Sequence, residues 1–269
     1  MSFVTAATPA ATTASTPPAV SVASSSPSAA SSQDAALAAA LSADAASIFT
    51  SVSSTSSYTT KPRQMFPGFD SFHRMVCMLL SEKAGPDARV LVLGAGGGLE
   101  LRSFAERRPH WTFVGVDPSG EMLEEAQKTL GPDLMKRVTL HKSFIPDAPV
   151  GPFDAATCLL TLHFVPLAEK LSTLQSIRSR LKPGAPFVVA HFCLDRQDPR
   201  APVHIDRYCQ FALEGGMSPE DVAVRRMRLE HSLHCIAPEQ DEALLAEAGF
   251  TGTELIYAGL NWRGWICYA

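Results

Sequence analysis

Residues 89–98 read RVLVLGAGGG, a short apolar run that passes directly into glycines. A continuous apolar run of this length is typical of a strand that is buried on both faces of a parallel sheet. Glycines at its end allow a tight turn and let the backbone approach a ligand that a Cβ would block. Residues 99–107 then follow a helical pattern that stops before Pro109. The stretch therefore predicts a strand, a ligand-facing turn and a helix.

The same alternation continues through most of the chain. Amphipathic stretches that predict helices separate apolar runs that predict strands, near residues 111–117, 137–141, 153–162, 186–192, 253–258 and 262–268. Regular alternation favours parallel pairing with right-handed crossovers. The predicted fold class is therefore α/β, a doubly wound, mostly parallel seven-stranded sheet. Residues 195–235 lack a strand pattern and predict a helical lid inserted into a domain over 61–269.

Residues 1–60 differ in composition from the rest of the chain. They contain no Lys or Arg, and Ala, Ser, Thr and Pro dominate. Such a segment has little large apolar surface to offset the entropy of ordering, so we expect a mostly disordered tail in which residues 34–49 favour a helix. The basic start and long apolar run of a secretory signal are absent, as are the arginines of a mitochondrial transit peptide.

The overall composition excludes several classes of protein. The 269 residues include 23 Lys+Arg and 27 Asp+Glu, a net charge of −4, which does not favour nucleic-acid binding. No apolar run reaches the roughly 20 residues that span a bilayer. Six scattered cysteines without a C-x-x-C pair favour reduced, buried thiols. We expect a cytoplasmic protein that acts on a small molecule, without a membrane or nucleic-acid partner; the sequence leaves a homodimer open.

The glycine turn has the spacing G-x-G-x-G, at Gly94, Gly96 and Gly98. The last glycine of a dinucleotide-binding G-x-G-x-x-G pattern would fall on Leu99. The observed spacing favours a nucleoside ligand without a pyrophosphate and argues against a nicotinamide dehydrogenase. A purely structural glycine turn is the alternative.

Asp117 follows the second predicted strand, at the place where an acid can accept hydrogen bonds from both ribose hydroxyls. It can also cap the next helix, and the two roles are compatible. Met122 stands five residues further on, where its thioether can lie on an adenine face or in the helix core.

These stretches resemble the class I S-adenosylmethionine-dependent methyltransferases over about residues 64–269. The matching pieces are residues 90–98, 114–122, 153–164 and 181–189. The resemblance implies S-adenosylmethionine as cofactor, methyl transfer to a small acceptor and a final antiparallel strand. It implies cofactor contacts from Gly94, Ala95, Gly96, Gly98, Asp117, Pro118, Met122, Ser143, Phe144 and Leu160. One position departs from the family, which usually has an acid where this chain has Val92, so the contact with the methionine part must come from elsewhere or be weaker.

A narrower resemblance concerns the carboxy-S-adenosylmethionine synthases of tRNA wobble-uridine modification. Similar stretches are residues 67–69, 160–166, 226–230, 248–250 and 259–261. The resemblance implies that Arg226 receives the extra carboxylate of the modified cofactor, a task that suits an arginine fork. The remaining lid matches poorly, so this reaction is an alternative to methyl transfer. A non-catalytic S-adenosylmethionine-binding protein is a second alternative.

Catalytic candidates follow the fourth and fifth predicted strands. A general base is needed only when the acceptor carries a proton at attack. His163 and His191 are the candidates for that role; a histidine bonded to backbone is the alternative for His163.

The lid insert adds candidates for acceptor binding. These are His204, Tyr208 and Arg226, with an exposed helix face as the alternative. His231 and His234 have a spacing that helix-borne metal ligands use, but no third ligand stands near them in the sequence, so no metal site is predicted.

Overall fold

The computed structural model describes residues 60–269; the predicted tail and the helix over 34–49 lie outside the described residues. The strands are β1 (Arg89–Leu93), β2 (Thr112–Asp117), β3 (Val138–Lys142), β4 (Ala155–Leu159), β5 (Pro186–Phe192), β6 (Thr251–Gly259) and β7 (Trp262–Tyr268). The α-helices are α1 (Lys61–Met65), α2 (Phe69–Ser81), α3 (Leu99–Arg107), α4 (Gly120–Met135), α5 (Leu167–Arg178), α6 (Ala201–Glu214), α7 (Pro219–His231) and α8 (Pro238–Glu247).

The strands form one seven-stranded sheet in the order β3-β2-β1-β4-β5-β7-β6. Strands β1 to β5 pair in parallel, whereas β7 pairs antiparallel with both β5 and β6. The predicted α/β fold with a mostly parallel seven-stranded sheet is confirmed. The strand order reverses between β1 and β4, and ligands of such sheets bind beyond the carboxyl ends of the strands at this switch point.

Two apolar layers cover the sheet because successive strand residues point to opposite faces. Val90 and Val92 of β1 pack in one layer with α2 and α3. Leu91 and Leu93 pack in the opposite layer with α5 and α8. Both faces of β1 are therefore buried, as its continuous apolar sequence requires.

The predicted end of the fourth strand is wrong. The fourth strand ends at Leu159, not at residue 162, because Leu160 adopts a left-handed φ of 56° and a 3-10 turn follows over Leu162–Phe164. The backbone changes direction at Leu160 while the surrounding sequence stays apolar. Helix α4 is interrupted at Gly131, whose φ of 66° and ψ of 172° are non-helical, so its first regular part ends at Leu130.

The insert over 195–235 contains α6 and α7. Helix α1, which the sequence pattern did not predict, packs against α6. The insert therefore stands at the carboxyl end of β5, on the side of the sheet edge where ligands of this fold bind.

Candidate active site

Two glycines of the turn over residues 94–98 are required by packing. Gly94 and Gly98 have φ values of +76° and +81°, which favour glycine. A Cβ on Gly94 would overlap the Thr161 side chain, and a Cβ on Gly98 would lie 2.9 Å from Cα of Ala126. These glycines let the loop after β4 and the helix α4 approach the turn closely.

Asp117 links the turn to the start of α4. Its Oδ2 accepts the Gly96 N–H at 2.9 Å, and its Oδ1 accepts the Ser119 N–H at 2.9 Å. The helix itself is capped by the Ser119 hydroxyl, which accepts the Met122 N–H at 3.3 Å. Burial raises the pKa of Asp117, and the two amide hydrogen bonds oppose that rise. Each oxygen keeps one further acceptor position, so the carboxylate fits two ribose hydroxyls.

Ser143 and Phe144 stand next to Asp117, just beyond the end of β3. The Ser143 N–H donates to the Asp117 carbonyl at 3.2 Å. Among the described residues, the buried Ser143 hydroxyl has no hydrogen-bond partner. The ring of Phe144 is 67% exposed. A hydroxyl without a partner among the described residues and an exposed ring, in a segment bonded to the end of β2, fit a nucleoside.

The other predicted cofactor residues surround the same edge of the sheet. Ala95 and Met122 are buried, whereas Pro118 and Leu160 are half-buried. Ala95 belongs to the turn, and its N–H donates to the Val116 carbonyl at 3.1 Å. All four lie within or next to segments that follow β1, β2 and β4.

Glu100 is a buried acid that the sequence analysis missed. It occupies the first turn of α3, and its carboxylate accepts a hydrogen bond from the Thr157 hydroxyl of β4. Burial raises the pKa of Glu100 to about 8, and the hydrogen bond from Thr157 lowers it only in part. The signal was its spacing: Glu100 stands four residues before the buried Phe104, on the core-facing side of the helix.

His163 lies in the 3-10 turn after β4 and is 4% exposed. Its Nδ1 accepts the Phe192 N–H at 3.5 Å. Burial holds the pKa of His163 well below its ordinary value, and the nearby side chains of Lys170 and Arg225 lower it further. The ring is therefore neutral, and with Nδ1 as acceptor it carries its hydrogen on Nε2. This is the backbone-bonded arrangement, in which the ring can donate a hydrogen bond only through Nε2.

His191, Cys193 and Asp241 form a buried polar cluster on the face of the sheet that α5 and α8 cover. The Nε2 atom of His191 lies 2.8 Å from Oδ2 of Asp241, which also accepts the Cys193 thiol at 3.3 Å. Ligand atoms of these three residues lie within 4.8 Å of one another, a distance that would admit a metal ion. The buried Lys170 ammonium donates to the Leu162 carbonyl at 2.6 Å and interacts with Asp241 and Cys193. A buried cation that interacts with Asp241 and Cys193 opposes a metal ion, so the cluster is best described as a buried polar contact in which the Cys193 thiol donates to Asp241.

Tyr208 of α6 points into the core. Its ring packs against Phe192 and Trp262, with centroids 4.9 and 6.3 Å apart. Its hydroxyl lies 3.4 Å from Nη1 of Arg225, which donates to it. Arg225 also acts electrostatically on the buried His163. Arg225 therefore lies on the side of α7 that faces Tyr208 of α6.

Arg226, the next residue of α7, points the other way. Its guanidinium pairs with Asp206 and lies 3.4 Å from Glu230, and its side chain is 39% exposed. It lines an outer groove between α6 and α7. His204, at the start of α6, is half-buried. The structure thus does not bring these two predicted acceptor residues together with His163.

His231 and His234, the pair weighed as metal ligands, also stand apart. The His231 side chain is 72% exposed and lies 3.8 Å from Glu230. The His234 N–H donates to the His163 carbonyl at 2.9 Å, so this residue holds the turn after β4 through its backbone.

The antiparallel β7, placed beside β5 of an otherwise parallel sheet, is the feature that the family resemblance implied. Together with a nucleoside-type glycine turn and a carboxylate at the end of β2, it gives the described residues the fold and the cofactor-site geometry of an S-adenosylmethionine-dependent methyltransferase.

Comparisons with known proteins agree with this class. Residues 91–187 match the methyltransferase domain family. A carboxy-S-adenosyl-L-methionine synthase of Campylobacter fetus is 24% identical over 203 residues, which cover 75% of this chain and 86% of that protein. The corresponding protein of Chromohalobacter salexigens is 24% identical over 209 residues, which cover 77% of each chain.

Solved structures share the fold at low sequence identity. A SAM-dependent methyltransferase of Aquifex aeolicus superposes with a TM-score of 0.53 at 18% identity, covering 77% of this chain and 92% of that one. An O-methyltransferase family protein of Burkholderia thailandensis gives a TM-score of 0.53 at 16% identity over 74% of this chain. This chain spans 57% of the length of the Burkholderia protein. Within residues 60–269, no helix has the length and apolar character needed to cross a membrane.

Proposed function

We propose that this methyltransferase acts on a small acceptor that carries an acidic group, bound between the end of β4 and the lid helices. The observation that carries the proposal is the position of Arg225. Its guanidinium lies beside the buried Tyr208 hydroxyl and acts on the buried His163. A guanidinium that has one neutral partner among residues 60–269 is suited to a carboxylate or phenolate.

The residues at the carboxyl ends of β2 and β3 fit the cofactor. S-adenosylmethionine supplies a sulfonium methyl group for in-line displacement when it is bound. Asp117 retains two acceptor positions for the sugar hydroxyls, and the Ser143 hydroxyl has no other partner among the described residues. The exposed ring of Phe144 offers a stacking face for the base. Positioning of this kind contributes about 7 kcal/mol or more to bimolecular transfers.

His163 serves this reaction as a donor. Because its ring is neutral and carries the hydrogen on Nε2, it orients an acceptor oxygen without removing a proton from it. The acceptor then attacks from a group that is already ionised or has no proton to lose. The rate of methyl transfer is therefore expected to depend on pH through the ionisation of the acceptor. Titration of His163 should add no further increase in rate.

The test is a methyl-transfer assay on paired acceptors. Wild-type protein is incubated with S-adenosylmethionine and small aromatic and aliphatic acids, each paired with its uncharged amide, and S-adenosylhomocysteine is measured. We expect turnover of an acid and not of its amide. Arg225→Gln should raise the KM for that acid at least tenfold, whereas the neighbouring Arg226→Gln should leave it within twofold. Cofactor binding without turnover of any acid contradicts the proposal.

Carboxy-S-adenosylmethionine synthesis is the second candidate, and the names of the relatives from Campylobacter fetus and Chromohalobacter salexigens favour it. Mass spectrometry after incubation with S-adenosylmethionine and prephenate detects the carboxylated cofactor. Arg226→Ala should then abolish that product and retain cofactor binding. The outward pairing of Arg226 with Asp206 favours methyl transfer instead. No product from the wild type eliminates the second candidate.

We also propose that the enzyme acts in the cytoplasm. All six cysteines of the chain lie among the described residues, and each is a free, buried thiol. Free thiols in this number suit a reducing compartment. The acceptor is proposed to be the only class of partner needed for the reaction.

A further inference from the structure

We propose that Glu100 binds the α-ammonium group of the methionine part of S-adenosylmethionine. The inference rests on the proposed use of that cofactor and assigns one binding residue to it. Glu100 takes over a contact for which the end of β1 offers only Val92.

The sheet register places the Glu100 carboxylate beside Val92. The hydroxyl of Thr157 donates to Glu100, and Thr157 pairs with Val92 between β4 and β1. Paired residues of neighbouring strands point their side chains to the same face. Val92 is the second-last residue of β1, so the carboxylate lies one residue from the glycine turn. Glu100, from the first turn of α3, thus places its carboxylate beside Val92, a position at which β1 itself has no acid.

The environment of Glu100 lacks a positive charge. Burial is the main cause of its raised pKa, and the hydrogen bond from the neutral Thr157 hydroxyl opposes that rise. No cation among residues 60–269 contributes to the shift. Glutamates are almost never fully buried unless they are paired. With a pKa of about 8, Glu100 keeps its proton at neutral pH in the ligand-free protein. A cation that enters from outside would ionise it and complete the pair.

The cofactor carries two positive groups, and their chemistry distinguishes them. An ammonium has three N–H donors and forms short, charge-assisted hydrogen bonds with a carboxylate. A sulfonium has no N–H or O–H with which to donate. The Glu100 carboxylate, hydrogen-bonded to a hydroxyl, therefore matches the ammonium.

Three ligands separate these contributions in calorimetric titrations. S-adenosylmethionine carries the ammonium and the sulfonium, S-adenosylhomocysteine carries the ammonium alone, and 5′-deoxy-5′-methylthioadenosine carries neither. Glu100→Gln should weaken the first two about tenfold or more, roughly 1.4 kcal/mol, and change the third less than twofold. Glu106→Gln, an exposed acid of the same helix, is the control and should change none of them.

A second measurement needs no variant. Because Glu100 is protonated in the free protein at pH 7, pairing with the ammonium should release nearly one proton per S-adenosylhomocysteine bound. Titrations in buffers of different ionisation enthalpy measure this proton. Methylthioadenosine should release none. Restoration of S-adenosylhomocysteine affinity in Val92→Asp/Glu100→Gln would further support the assignment.

Each contrary result overturns the assignment in a distinct way. If Glu100→Gln weakens the binding of all three ligands equally, Glu100 stabilises the glycine turn and does not bind the ammonium. If it weakens the binding of S-adenosylmethionine alone, Glu100 interacts with the sulfonium. Unchanged affinities without proton release remove it from the site. If wild-type protein binds none of the three, the proposed function fails first and the assignment falls with it.

Discussion

Nε2 of His191 lies 2.8 Å from Oδ2 of Asp241, and the two side chains are 1% and 2% exposed. The contact joins the end of β5 to α8 and buries a carboxylate beneath the sheet. The Cys193 thiol donates to the same oxygen. The chain that leaves β5 toward the lid is therefore fixed by an acid from a much later helix.

Asp241→Asn should destabilise the fold. The substitution alters the side chain that accepts the Cys193 thiol and that lies 2.8 Å from Nε2 of His191, and the loss of such buried polar contacts costs about 1–3 kcal/mol. Chemical denaturation followed by far-UV circular dichroism measures the change in the free energy of unfolding. Glu247→Gln, an exposed acid of the same helix, should stay within about 0.5 kcal/mol. Equal stabilities of the two variants would show that the pair with His191 contributes nothing.

Gly94→Ala should destabilise the protein more than Gly184→Ala. The two glycines have nearly the same φ, +76° and +75°, so the strain of a left-handed alanine, about 1–2 kcal/mol, is common to both. A Cβ on Gly184 meets nothing within 4 Å, whereas a Cβ on Gly94 overlaps Thr161. The difference between the two melting temperatures isolates the overlap. A similar loss in both variants would mean that the loop after β4 moves freely aside.

Asp117→Ala should weaken S-adenosylhomocysteine binding by about 1–3 kcal/mol, because the sugar hydroxyls lose a buried acceptor. Calorimetry gives the affinity, and the melting temperature of the free protein reports separately on the lost Gly96 and Ser119 hydrogen bonds. Asp147→Asn, an exposed acid beyond β3, serves as the control. Unchanged affinity in the Ala variant would remove Asp117 from the ribose site.

Glu100→Gln should change how stability depends on pH. In the unfolded chain Glu100 has a pKa of 4.5, and in the folded protein burial raises it to about 8. Between these values the unfolded state loses the proton that the folded state keeps, so the wild type loses stability as pH rises to about 8. The glutamine variant lacks this loss. Its melting temperature relative to the wild type should rise from pH 5 to pH 8; a constant difference would contradict the buried, protonated acid.

Local sequence patterns predicted the parts of the site that depend on consecutive residues. The apolar run of β1, the glycine turn and the acid at the end of β2 lie where they were expected. The end of β4 was misplaced because the turn after it is also buried. Leu162 and His163 are as apolar or as enclosed as strand residues, so composition does not mark the change in backbone direction at Leu160.

Residues that act through partners far along the chain escaped prediction. Lys170 stands in the apolar series with Leu174 and Ile177, and Asp241 stands four residues before the buried Leu245. Such positions indicate a buried polar side chain, but spacing alone does not identify its hydrogen-bond partner. The partner of Lys170 is the Leu162 carbonyl, which comes within hydrogen-bond distance only in the folded chain.

The adjacent arginines of α7 point in different directions, Arg225 toward Tyr208 and Arg226 toward Asp206. One residue corresponds to a rotation of about 100° in an α-helix. Loss of one residue early in α7 would therefore bring Arg226 to the position that faces Tyr208, whereas gain of one residue would bring Val224 there. The substrate charge proposed for this lid is thus open to evolutionary change by insertion and deletion as well as by substitution.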